Sequence, residues 1–433
     1  MGIVIIIVMA IGVALILSGK IPTAFALVLL AVAIALLGGA PFVGAENSVL
    51  TTVIQTGAVT LASTMIAILL GSWLGSLMRD TAIASTLVRK TVEFAGDRPV
   101  VVALGVLLIS ALCGAVTGSA PAALLAGVIG IPAMVAVGVP KVTAAGTILI
   151  GIGAGAPFEL PVWQFFSTAL HLSVPQVRSF MLLLFPFAAA AAIVFVIVET
   201  RRRGTVHQWS LASMAERDAA DADTRSRRER LGDAPWFALL TPLVPIVLAL
   251  VLQVPIIPSL LAGVLFAVVT TTPPRLWASR MLRSLYDAFH VAAPPIALFI
   301  AIGMLLAAVG LPGSVAALKP IVEAVAPTNV WLYVIVFSVL VPLCLYRGPL
   351  NIFGLGAGIA GAMTAIGFYS PMAVLGLMTS YNQVFGVADP TSTQTVWAAQ
   401  YSGVTPQQVM VRVLPYVWVV AIAGIVMSAI RFL

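Results

Sequence analysis

Residues Asn382–Trp397 read NQVFGVADPTSTQTVW and lie between two apolar segments, Met372–Leu377 upstream and Val411–Ile430 downstream. The stretch carries one aspartate, one proline, three amides and four hydroxyls, Thr391, Ser392, Thr393 and Thr395. A membrane helix satisfies its backbone polar groups internally, and Gly386 with Pro390 is expected to interrupt that pattern. Broken backbone at membrane depth survives only where protein buries it or where it lines a wet cavity. An acid in that setting, here Asp389, marks a functional site by default. The simpler alternative is a cytoplasmic loop joining two spans, and a matching stretch in the first half argues against it.

Composition sets the class. The chain has 433 residues, 61% of them hydrophobic and 9% charged, with a mean hydropathy of +1.13. Soluble domains carry about 25% charged residues, so the expected fold is an all-α polytopic membrane protein in the lipid bilayer. The formal charge of +7 does not point to nucleic acid, because most bases sit in short loops, as membrane topology requires. Cys113 and Cys344 both lie in apolar runs and imply neither a disulfide framework nor a metal site. His171, His207 and His290 are far apart with no H-E-x-x-H, so no enzyme, metal or cofactor is expected beyond a coupling ion.

Working outward, residues 1–18 read as an extra N-terminal span that is not a removable signal. A first repeat follows at 19–200: spans, an interfacial helix at 79–98, a hairpin at 99–140, a broken helix at 141–172 and a span at 178–199. The hairpin tip is Thr117-Gly118-Ser119-Ala120-Pro121, and the break is Ala156-Pro157-Phe158-Glu159-Leu160-Pro161. Residues 201–235 are a hydrophilic linker, cytoplasmic by its arginines, and 236–254 a linking span. The second repeat, 255–433, repeats the order with a hairpin at 328–369, a broken helix at 371–403 and a last span at 405–431. Its hairpin tip is Tyr346-Arg347-Gly348-Pro349-Leu350-Asn351.

An overlay at an offset of 231 pairs Cys113 with Cys344, Pro140 with Pro371 and Gly155 with Gly386, but the matched order of elements is the stronger argument. Five crossings separate the hairpins, so the second opens from the opposite face. That is an inverted-topology repeat, with binding near the midplane between repeats. Bases then gather on one side, at Lys20, Arg79–Arg98, Lys141, Arg275–Arg283 and Arg412. Both termini fall on the other side.

With these motifs in place, the chain resembles the gluconate permease family of the ion-transporter superfamily. The run Gly71–Arg98 with the following arm and tip carries the likeness, together with Ala388-Asp389-Pro390, Trp397 and the closing span. It extends from about Lys20 to the end. The resemblance implies an elevator-type transporter, a homodimer in a bacterial inner membrane, moving a small organic anion by symport with a cation. The tip Thr117-Gly118-Ser119 and the stretch Thr391–Thr395 depart from the sugar-acid permeases. The substrate therefore stays open between a sugar acid such as gluconate and di- or tricarboxylates.

The candidate residues follow. Arg347 is placed to bind a substrate carboxylate, through a planar fork that lysine lacks, or else to snorkel to an interface. Glu159 and Asp389 occupy the two helix breaks. Because desolvation disfavours a charged carboxylate, either could carry a coupling proton, or either could pair with Arg347. Thr117, Gly118, Ser119, Gly348, Asn351, Asn382, Thr391 and Thr393 are candidates for substrate contact or half-helix caps. The hydroxyls could instead cage Na+, making H+ and Na+ rival coupling ions. Asp287 and His290 read as an interfacial pair near a span end. A membrane subunit dependent on a periplasmic binding protein, and a channel, are the other readings.

Overall fold

A computed structural model describes residues 1–201 and 232–433. Most of the expected cytoplasmic linker, 201–235, lies outside the described residues.

The described chain is helical, with no strand, and seven of its helices are long and apolar enough to cross a membrane. It opens with α1 (Gly2–Leu17), α2 (Thr23–Leu37) and the long span α3 (Val49–Asp80). After a left-handed residue at Ala82, α4 (Ile83–Ala95) buries Ile83, Ala84 and Val88 and presents Lys90, Glu93 and Phe94 outward. This alternation at helical spacing fits a helix lying in the interface.

The first hairpin is α5 (Pro99–Thr117) and α6 (Ser119–Ala136), joined by one residue, Gly118, at φ +81°. A positive φ suits glycine, which lacks the Cβ that would clash there. The broken helix follows as α7 (Lys141–Gly155), a short 3-10 turn at Ala156–Phe158, and α8 (Leu160–Ala169). Then comes α9 (Val174–Arg201). Arm length alone does not decide whether the hairpin crosses, since α5 at its helical rise reaches about 28 Å. α6 runs beside α7, and the tip Gly118 lies next to Glu159 at the break. The hairpin therefore turns back at the depth where the neighbouring helix breaks.

A 3-10 turn at Trp236–Leu240 and α10 (Leu243–Leu250) form the linking segment, shorter than the span expected at 236–254. Next are α11 (Ile256–Thr271) and α12 (Trp277–Val309). α12 includes Arg280 and Asp287, and Asp287 pairs with Arg79 at 3.7 Å rather than with His290.

The second repeat has α13 (Pro312–Val325) meeting the next segment at 105°, as a surface helix does before the chain dips inward. Its hairpin has α14 (Val330–Leu340), a 3-10 turn to Cys344, a non-helical stretch, and α15 (Leu355–Ile366). Here the tip is a ten-residue loop, 345–354, where the first hairpin turns on one glycine. The second broken helix is α16 (Pro371–Ala388) and α17 (Thr393–Ser402), and α18 (Pro406–Phe432) closes the chain. α16 passes through Gly386 without interruption, so the break falls at Asp389-Pro390-Thr391 and not at the glycine.

α1, α2, α3, α11, α12 and α13 pack on one another and are called the scaffold below; the hairpins, both broken helices, α9 and α18 are called the core, and the two groups share a broad contact in which α15 lies against α12 and α13 and α8 lies against α3. Glycines let the core helices approach closely: a Cβ on Gly155 would run into the Ala111 carbonyl of α5. A buried ion pair, Glu199 with Arg412 at 3.0 Å, ties α9 of the first repeat to α18 of the second, and Tyr416 donates to the same carboxylate.

Candidate functional site at two helix breaks

Each break leaves carbonyls at the end of one half-helix and N–H groups at the start of the next without helical partners. The sequence fills the carbonyl side the same way twice. Trp163 Nε1, on α8, donates to the Pro157 carbonyl at 2.9 Å, and Gln394 Nε2, on α17, donates to the Gly386 carbonyl at 3.0 Å. The N–H side is different: neither Gly118 before α6, Glu159 before α8 nor Ser392 before α17 gives a side-chain cap. All three half-helix N-termini lack a side-chain cap and present the positive end of their dipoles, although at α8 Pro161 has no N–H and Val162 N already bonds the Glu159 carbonyl. Such ends attract anions.

The two acids differ sharply. Asp389 is fully buried, and its Oδ1 accepts from Tyr346 N at 3.1 Å, Thr391 N at 2.9 Å and Thr391 Oγ1 at 2.8 Å, while Oδ2 accepts from Arg347 N at 3.3 Å. It pins the second hairpin tip to the second break. Tyr346 and Arg347 both have left-handed backbone, φ +54° and +56°, which aims their N–H groups at one carboxylate. Glu159 holds the equivalent place in the first repeat, with an Oε1 3.7 Å from where a Cβ on Gly118 would lie. Its carboxylate takes no hydrogen bond or ion pair among the described residues, and it is only half-buried.

Arg347 pairs with neither acid through its side chain. Its guanidinium is exposed and donates to Thr23 Oγ1 on scaffold helix α2, at 3.0 Å. The left-handed tip turns the main chain toward Asp389, and the side chain is directed away to the scaffold. That corrects the expectation of an Arg347–acid pair at the breaks.

The remaining candidates divide. Thr117 bonds back to the Cys113 carbonyl at 2.9 Å and packs against Gly75 of α3. Ser119 is half-exposed beside Gly118. Gly348 and Asn351 serve the loop itself: a Cβ on Gly348 would strike the Leu343 carbonyl, and Asn351 Oδ1 accepts from Phe353 N at 2.8 Å. Thr391 is engaged by Asp389, and Thr393 is exposed at the start of α17. Asn382 is 6% exposed and has no described side-chain hydrogen bond.

Sequence reasoning named neither Gln383 nor Gln394 as a site residue. Gln383 is buried on α16, and its Oε1 approaches Gly153 of α7, where the two broken helices cross just before their breaks. A Cβ on Gly386 would meet nothing within 4 Å, so open space adjoins α16 at the depth of the break. Two buried amides in succession on an apolar helix were the available signal. Beside the site, Phe353 links Phe165, Phe299 and Phe385 at ring distances of 5.9, 5.6 and 5.6 Å, an apolar wall between core and scaffold.

The described helices have the fold of an all-α polytopic membrane protein. Among solved structures, the chain is similar to the crystal structure of the Alcanivorax borkumensis YdaH transporter, which is described as having an unusual topology. The TM-score is 0.62 at 15% identity, over 94% of this chain and 98% of that one. No family model and no curated protein matches the sequence.

Proposed function

We propose that this chain is a secondary active transporter that imports an organic carboxylate, a sugar acid or a di- or tricarboxylate, by symport with H+. The observation that carries the reading is the Glu159 carboxylate, without a hydrogen bond or ion pair among the described residues, beside the hairpin tip Gly118 and the uncapped start of α6. The N–H groups of α6 and α17 hold the anion, and Ser119, Asn382 and Thr393 contact its polar groups. An anion beside Glu159 disfavours the ionised acid, so a proton enters with the substrate by linkage and needs no separate wire.

The core carries the site across the scaffold in an elevator motion, in a homodimer in a bacterial inner membrane with segment 201–233 cytoplasmic. Compared with the sequence expectation, Glu159 takes the coupling role alone, because Asp389 is committed to the hairpin tip.

The purified chain in proteoliposomes tests this. A thermal-shift screen of mono-, di- and tricarboxylates and sugar acids finds the ligand, and uptake is then driven by an imposed proton gradient in sodium-free buffer. Accumulation is expected, with Glu159→Gln retaining exchange but losing accumulation. Accumulation only after sodium is added would replace the proton with Na+, held by the hydroxyls near Thr391–Thr395.

A further inference from the structure

We propose that Asp389 is a positioning residue that holds the second hairpin tip so that Arg347 latches the core to scaffold helix α2 through Thr23. The inference rests on the transporter reading above. A continuous chain of contacts supports it: the Asp389 carboxylate accepts Tyr346 N and Arg347 N, and the Arg347 guanidinium donates to Thr23 Oγ1. The first two bonds join the hairpin tip to the second break, and the third crosses to α2. Any displacement of core against scaffold must break the third bond while the first two persist.

The latch also has a direction. Thr23 opens α2 just after Lys20, and the basic residues place that end in the cytoplasm. The second hairpin enters from the opposite face, so a tip that touches Thr23 has travelled far toward the cytoplasm. The first hairpin agrees. Its tip residue Thr117 packs at Gly71 and Gly75, in the last third of α3, close to the basic end at Arg79. The latched arrangement is therefore the core in its lowered, cytoplasm-facing position. A single hydrogen bond from an exposed guanidinium is weak enough to release on each cycle.

Side-specific labelling tests the latch without a known substrate. Ser119→Cys at the first hairpin tip is exposed to a membrane-impermeant maleimide in right-side-out and inside-out vesicles, with the native buried Cys113 and Cys344 as background. A second substitution is then added. Thr23→Asp strengthens the latch and should raise the ratio of cytoplasmic to periplasmic labelling by about fivefold, the population change expected from one such bond. Arg347→Ala should lower the ratio by a similar factor, and Arg347→Lys, which can still donate to Thr23, should restore most of it.

Asp389→Asn replaces one acceptor oxygen with a donor and should shift the ratio as Arg347→Ala does, in protein that elutes as a single folded peak. An unchanged ratio in Thr23→Asp and Arg347→Ala would overturn the latch while leaving the transporter reading intact. A shift with Arg347→Ala but none with Asp389→Asn would overturn the positioning role. Labelling from one face only, in the parent and every variant, would remove alternating access itself and the latch with it.

Discussion

Asp389, at the break between α16 and α17, accepts a hydrogen bond from the main-chain N–H of Arg347 at 3.3 Å, across 42 positions of sequence. The same carboxylate takes Tyr346 N and Thr391 N. A buried carboxylate with this many donors is a structural clamp, and removing it strands the N–H groups it served. Asp389→Ala is expected to destabilise the protein by about 2–4 kcal/mol, since unpaired buried donors carry a full desolvation cost. Asp389→Asn, keeping one oxygen, should cost less. Unfolding in detergent by denaturant measures both, and equal midpoints for parent and Asp389→Ala would contradict the clamp.

Glu159 should behave in the opposite way. With no described partner, its change to Gln is isosteric and strands nothing, so stability should stay within about 0.5 kcal/mol of the parent. A loss as large as that of Asp389→Ala would mean that Glu159 is structural.

Two glycines near the breaks separate packing from access. A Cβ on Gly155 would press into the Ala111 carbonyl, backbone that has no flexible end to yield. Gly155→Ala is therefore expected to cost about 1–3 kcal/mol. Gly386→Ala projects into open space and should gain about 1 kcal/mol in helix propensity. If that space is the substrate chamber, the same methyl weakens ligand binding while the melting temperature rises. Calorimetry on both variants checks the pair of signs.

Trp163 closes the first break by donating to the Pro157 carbonyl. Trp163→Phe keeps most of the apolar bulk and removes the donor, with an expected loss of about 1–3 kcal/mol. The matching change at the second break, Gln394→Leu, should cost less, because Gly386 is half-exposed and its carbonyl can turn to water. A larger loss at Gln394 than at Trp163 would contradict this ranking.

Much of this protein was legible in its residues because membrane insertion is a local demand. Each span must be apolar over its own length and close its own backbone bonds. The all-α class and the run of apolar helices could therefore be read without knowing what touched what. The offset of 231 even brings Lys141, the first residue of α7, onto Met372, one residue inside α16.

The roles of the charged residues were not legible, because a carboxylate's task depends on which donors surround it, and those come from distant segments. Asp389 and Glu159 look alike in sequence, an acid in a proline-marked break. Folding gives one of them the hairpin tip at Tyr346 and Arg347 and leaves the other facing Gly118, which presents no side chain. Arg347 likewise seemed bound for the acids, until two left-handed residues turned its side chain to Thr23 on the scaffold. Hydropathy is a property of each segment, whereas partnership is a property of the packed chain, and only the tertiary structure decided which acid is without a partner among the described residues.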